Sequence, residues 1–102
     1  PTTLAVTPET ENVTAGETYQ LTFKLGGTVD PNTDGIEVKP DSVTTNISGA
    51  KGKTTRVDKY GVLHVDKNET TGTVITCTFV STYYNPSGET KKIKTTGTYT
   101  VA

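Results

Sequence analysis

The stretch Thr73-Val74-Ile75-Thr76-Cys77-Thr78-Phe79-Val80-Ser81-Thr82-Tyr83-Tyr84 decides the fold class. Ile75, Cys77 and Phe79 fall on one parity and Thr76 and Thr78 on the other. That period of two sends one face of a β-strand into a core and the other outward. Asn85-Pro86-Ser87-Gly88 then supplies residues that set tight turns, so the run folds back as a hairpin. In the returning strand Ile93, Tyr99 and Val101 share a parity with Thr95 and Gly97, which leaves Lys92, Lys94, Thr96, Thr98 and Thr100 to solvent.

Upstream, the same alternation recurs in shorter runs. Arg56-Val57-Asp58 leads through a turn at Lys59-Tyr60-Gly61 into Val62-Leu63-His64-Val65, and a polar turn from Asp66 to Gly72 follows. Val43 and Ile47 mark a weaker strand that runs into Ser48-Gly49-Ala50-Lys51-Gly52-Lys53, and Ile36 and Val38 mark another that Pro40 stops. Nearer the start, Glu17 to Leu25 reads as one strand with Tyr19, Leu21, Phe23 and Leu25 inward, while Leu4 and Val6 carry a first strand ending at Pro8. Roughly a quarter of the residues are threonine, which suits a pleated surface and loses side-chain freedom in a helix. Seven to eight short strands with turn signals between them predict an all-β, immunoglobulin-like antiparallel β-sandwich. Its expected core is Tyr19, Leu21, Phe23, Ile75, Cys77, Phe79, Ile93 and Tyr99.

The 102 residues suffice for one hydrophobic core, so a single domain over 1–102 is expected. The chain starts at Pro1 and lacks methionine, as a domain excised from a larger protein would. A formal charge of -1 with no clustered Lys and Arg argues against a nucleic-acid partner. No run approaches the roughly 18 to 20 apolar residues of a membrane span. Cys77 is the single cysteine; an internal disulfide is excluded, and the fold must rest on packing and hydrogen bonds.

Three stretches together resemble the bacterial immunoglobulin-like group 2 family: Val6-Thr7-Pro8-Glu9 with Val13-Thr14-Ala15-Gly16-Glu17-Thr18, Val57-Asp58-Lys59-Tyr60-Gly61-Val62-Leu63-His64-Val65, and Gly72-Thr73-Val74-Ile75-Thr76-Cys77-Thr78. The middle stretch is the most specific, because a Val-Asp-x-x-Gly-Val-Leu pattern needs a glycine to turn between paired strands. The chain departs from the family at its centre, where members often carry a tryptophan and this one has Ile36-Glu37-Val38. The resemblance implies a non-catalytic structural or accessory module. Such modules occur on phage tail and capsid proteins, at the virion surface, and as spacer or binding repeats of bacterial cell-surface adhesins. Thr54-Thr55-Arg56-Val57-Asp58 before the glycine turn and Asp66-Lys67-Asn68-Glu69-Thr70 after it look more like the phage-associated form. The partners it implies are a bacterial surface polysaccharide or the neighbouring domains of the parent protein. An isolated monomer is expected, since the threonine and lysine faces offer no large apolar patch.

Among individual residues, Asp30-Pro31-Asn32-Thr33-Asp34-Gly35 has the opening of a calcium loop, with Asp41 at the twelfth position. Asp30, Asn32, Asp34 and Asp41 would be the oxygen ligands; the plainer reading is a polar turn whose Asn and Asp bond their own backbone, with no cofactor. Tyr83, Tyr84 and Asn85 at the hairpin tip are candidates for stacking on a sugar or anchoring a protein partner. His64 reads as a rim residue, since general-base catalysis needs a positioned partner and no serine elbow or second histidine is present. Cys77, on the parity of Ile75 and Phe79, reads as a shielded core thiol. The sequons at Asn12, Asn46 and Asn68 are expected by chance in so threonine-rich a chain. Lys24 lies on a solvent parity, unsuited to a buried isopeptide bond.

Overall fold

The computed structural model describes residues 3–26, 37–84 and 90–102, with the side chains at 37, 83, 84, 90 and 91 left aside. Ten strand segments follow one another: β1 (Thr3–Thr7), β2 (Thr10–Val13), β3 (Thr18–Gln20), β4 (Thr22–Gly26), β5 (Glu37–Val38), β6 (Val43–Ser48), β7 (Arg56–Val57), β8 (Val62–His64), β9 (Val74–Tyr84) and β10 (Thr90–Val101). A single 3-10 turn at Pro40–Ser42 is the one helical element among the described residues.

The strands form two layers. One contains β1-β4-β5 and β3-β8-β7, and the other is the four-stranded sheet β2-β10-β9-β6. In immunoglobulin terms this sets A, B, E and D strands against C, F and G. The first strand changes layers: β1 pairs with β4 antiparallel, then the chain passes Pro8 and β2 pairs with β10 in parallel. The remaining described pairs are antiparallel. The sandwich is thus as the sequence predicts, with the layer switch and a break at Leu21 raising the strand count above the expected seven to eight.

Where one strand was expected from Glu17 to Leu25, the structure breaks it at Leu21. There the chain leaves its pairing with β8 and takes up pairing with β1 and β5. The Leu21 N–H is not orphaned, because it donates to Gly61 O at 2.8 Å, which carries the ladder across the break. Val43 and Ile47, read as a weak strand, lie in a six-residue β6 paired with β9 from Val43↔Ser81 to Ser48↔Thr76.

The core is an apolar seam between the layers. Leu4, Val6, Leu21, Phe23, Leu63 and Val65 from one layer meet Val13, Ile75, Cys77, Phe79, Tyr99 and Val101 from the other. Phe23 and Phe79 meet edge to face at 4.9 Å between centroids and 63° between planes, a favoured aromatic geometry. Two expected core residues sit at its margin. Tyr19 is half-buried because its hydroxyl accepts the Thr14 N–H at 2.6 Å. Ile93 is half-buried and packs against the core from its place opposite Ser81 on β9. Thr98 and Thr100 are half-buried rather than open to solvent, because β2 lies alongside them.

The chain path runs from pole to pole. Thr3 pairs with Gly26 at the far end of β4, whereas Val101 pairs with Val13 and the Ala102 N–H donates to Val13 O at 2.8 Å, beside the start of β3. The long axis measures 47 Å against 19 Å for the other two.

Candidate functional site

The β7–β8 turn is organised by one carboxylate. Asp58 Oδ1 accepts the N–H of Tyr60 at 2.9 Å and of Val62 at 3.1 Å, and Asp58 Oδ2 pairs with His64 Nε2 at 2.7 Å. The backbone closes the same loop: Gly61 N–H donates to Asp58 O and Asp58 N–H to Val62 O, both at 3.0 Å. Gly61 takes φ +78, a region that L side chains avoid. A Cβ there would also press on Leu21 O and Pro40 Cβ, each at 3.0 Å. This is the physical content of Val-Asp-x-x-Gly-Val-Leu: the aspartate ties the turn, and the glycine turns it against Pro40. The hydrogen bond from His64 is the largest of the effects that hold the Asp58 carboxyl below the usual carboxylate range, followed by that from Val62 N.

Tyr60 is the residue this turn displays. Its backbone is fixed at both ends, the N–H by Asp58 and the C=O by Gln20 Nε2 at 2.9 Å, and the same amide also reaches Leu21 O at 3.0 Å. Its ring is 66% exposed, the more exposed of two large hydrophobic side chains at the described surface. Lys59 Nζ lies 5.2 Å from the ring centroid, within cation–π reach. Together with Lys39, Pro40 and Asp41, Lys59 and Tyr60 line an open cleft of about 370 Å³.

A second cleft, of about 350 Å³, lies on the outer face of β7, β8 and β3. Arg56, His64 and Thr18 form a row across it, since Arg56 and Thr18 are the cross-strand partners of His64. Lys67 and Asn68 close one side. Among the described residues no hydroxyl or thiol bonds to the His64 ring, whose Nε2 is taken by Asp58.

Two acids anchor the loop that frames this cleft. Asp66 and Glu69 are 7% and 6% exposed, and each accepts several hydrogen bonds. Asp66 Oδ2 accepts Thr54 N at 3.0 Å and Thr54 Oγ1 at 2.7 Å, and Oδ1 accepts Asn68 N at 2.7 Å. Those bonds, Asn68's first, bring the Asp66 carboxyl down to about 2. Glu69 Oε1 accepts Lys51 N at 2.8 Å, and Oε2 accepts the Thr55 hydroxyl. Burial opposes ionisation of Glu69, yet the bonds from Thr55, Lys51 and Gly52 outweigh it and its carboxyl lies below the ordinary value. Both carboxylates are thus engaged by N–H and O–H donors of the loop they hold.

The residues singled out from sequence fall in different places. Asp30, Asn32 and Asp34 of the calcium-loop reading lie outside the described residues, and Asp41 is an exposed member of the 3-10 turn. Tyr83 and Tyr84 end β9, while Asn85 lies outside the described residues. His64 sits at the rim as expected, but with a partner that sequence reasoning missed; Asp58 six positions earlier across a glycine turn was the available signal. Cys77 is fully buried, and burial raises its thiol to about 11. Asn12, Asn46, Asn68 and Lys24 are exposed. Among the described residues no helix is long and apolar enough to cross a membrane. Comparison of the chain with family models, with curated proteins and with solved structures gives no match.

Proposed function

We propose that the chain is a non-catalytic accessory module of the bacterial immunoglobulin-like group 2 kind, carried by a phage tail or capsid protein and displayed at the virion surface. There its loops make weak contact with bacterial surface polysaccharide. The observation that supports a serial module most directly is the pole-to-pole path, with Thr3 beside Gly26 at one end and Val101 beside Val13 at the other. Such a domain is inserted into a rod or appended to a shell without the chain doubling back. The Val57-to-Val65 turn, built as that family's pattern requires, favours the group 2 assignment, and the flanking Thr54–Asp58 and Asp66–Thr70 segments favour the phage-associated form.

The same path favours a second reading, a spacer or binding repeat in a bacterial adhesin that holds a distal tip away from the cell. Immunogold labelling with antibodies raised against this chain separates the two. Decoration of intact phage particles is expected. Decoration of uninfected bacterial cells, with particles left bare, would replace the virion reading by the adhesin one.

A further inference from the structure

We propose that the cleft between the β7–β8 turn and the Pro40–Ser42 turn is a saccharide subsite. In it the Tyr60 ring stacks on the C–H face of a pyranose with equatorial hydroxyls, and Lys39, Asp41 and Lys59 hydrogen-bond its rim. Three observations lead there. Tyr60 is 66% exposed; the turn holds its backbone groups, while its ring stands at the surface beside the Lys59 ammonium. The ring's base is immobilised: two hydrogen bonds fix its peptide groups, and Gly61 is wedged between Leu21 O and Pro40. Ordering the site on binding therefore costs little. The lining is also amphiphilic in the way a pyranose is. The Tyr60 and Pro40 rings offer flat apolar walls, and two ammonium groups and a carboxylate at the rim donate to and accept from hydroxyls.

The choice of ligand rests on the reading that the module meets bacterial polysaccharide, whereas the location of the site does not. The test is an NMR titration of the whole chain with a tetramer of β-1,4-linked N-acetylglucosamine, using the wild type, Tyr60→Phe and Tyr60→Ala. Saturable shifts are expected at the amides of 39, 41 and 58–62. Tyr60→Phe should bind within about twofold of wild type and Tyr60→Ala about tenfold more weakly, the loss of one aromatic stacking contact. Because the ring is exposed, the thermal midpoint of Tyr60→Ala should match that of the wild type. Binding undiminished in Tyr60→Ala would overturn the subsite and leave saccharide contact elsewhere on the module standing. No shift with this tetramer or with its glucose counterpart overturns the subsite, while the particle labelling decides the virion reading separately. Shifts at the same amides with a tetraproline peptide and none with either sugar would make the cleft a peptide groove, and the proposal wrong.

Discussion

Among the described residues Tyr99 is the largest fully buried side chain, and its hydroxyl must be satisfied inside the core. Its hydroxyl donates to Pro8 O at 2.8 Å, across the point where the first strand changes layers. Burial pushes that hydroxyl's pKa up, so it stays a donor throughout the neutral range. Tyr99→Phe keeps the ring and removes the donor to Pro8 O. It is expected to cost about 1 kcal/mol, read as a lower urea midpoint with an unchanged denaturant slope. Cys77 makes the converse case. Where antibody-type domains place an inter-layer disulfide, this chain has a free thiol, fully buried among apolar side chains and raised to about 11 by that burial. A thiol reagent should leave the native protein unlabelled over minutes at pH 7.5 and modify it fully in urea. Rapid labelling without denaturant would mean that the seam opens far more readily than its packing implies.

At the level of strands, β10 shows how one parity row builds the core. Gly97 and Tyr99 are successive inward positions, and the Tyr99 ring folds back over Gly97, so that a Cβ at 97 would approach Tyr99 Cζ at 2.8 Å and Cε2 at 2.9 Å. Gly97→Ala must therefore displace the ring, and with it the bond to Pro8. A loss of about 1 to 3 kcal/mol is expected, as for other overpacked sites; the double variant with Tyr99→Phe should lose less than the sum, since both act through one ring. What sequence made legible follows from the same geometry. In β9 both neighbours are paired, so strict alternation of Ile75, Cys77 and Phe79 against Thr76 and Thr78 maps onto burial residue by residue. Glu17 to Leu25 has equally good alternation, yet its pairing changes partner at Leu21, and alternation carries no information about partners. Leu63 and Val65 belong to the core although the expected set left them out, because their burial depends on β8 lying between β3 and β7, which only the pairing reveals. The candidate site was less legible for a related reason. Tyr60, Pro40 and Gln20 are far apart in sequence, and Tyr60 gains its rigid setting from groups on β3 and the 3-10 turn. The acids of 66–69 gave no sign of meeting the backbone of 51–54, since hydrogen bonds from peptide groups leave no residue signature.

Over the whole molecule, with no disulfide and a modest core, the acids become a large part of how stability depends on pH. Asp58, Asp66 and Glu69 each have a folded-state carboxyl below the ordinary value, Asp66 falling from 3.8 to about 2. A depressed carboxyl favours the fold fully only above its unfolded value, and that contribution is lost as protons bind the folded form at its lower value. Stability should therefore be nearly flat from neutral pH down to about 5, then fall steeply between about pH 4 and 2 as these three carboxylates are protonated. The fall should start at the loop they hold. Gly52 is packed so closely on Asp66 that a Cβ there would overlap the carboxylate, and protonation weakens the acceptor oxygens that take the bonds of Thr54 and Asn68. Asp66→Asn makes the assignment specific. Its amide nitrogen must face the donor of either Thr54 or Asn68, so the midpoint at pH 7 should drop toward that of the wild type at pH 2, and the slope between pH 4 and 2 should become shallower. Thermal unfolding followed by circular dichroism across that range reads both. A variant slope as steep as the wild type's would place the acid sensitivity elsewhere, and Glu69→Gln and Asp58→Asn would then be measured in the same way to find which carboxylate carries it.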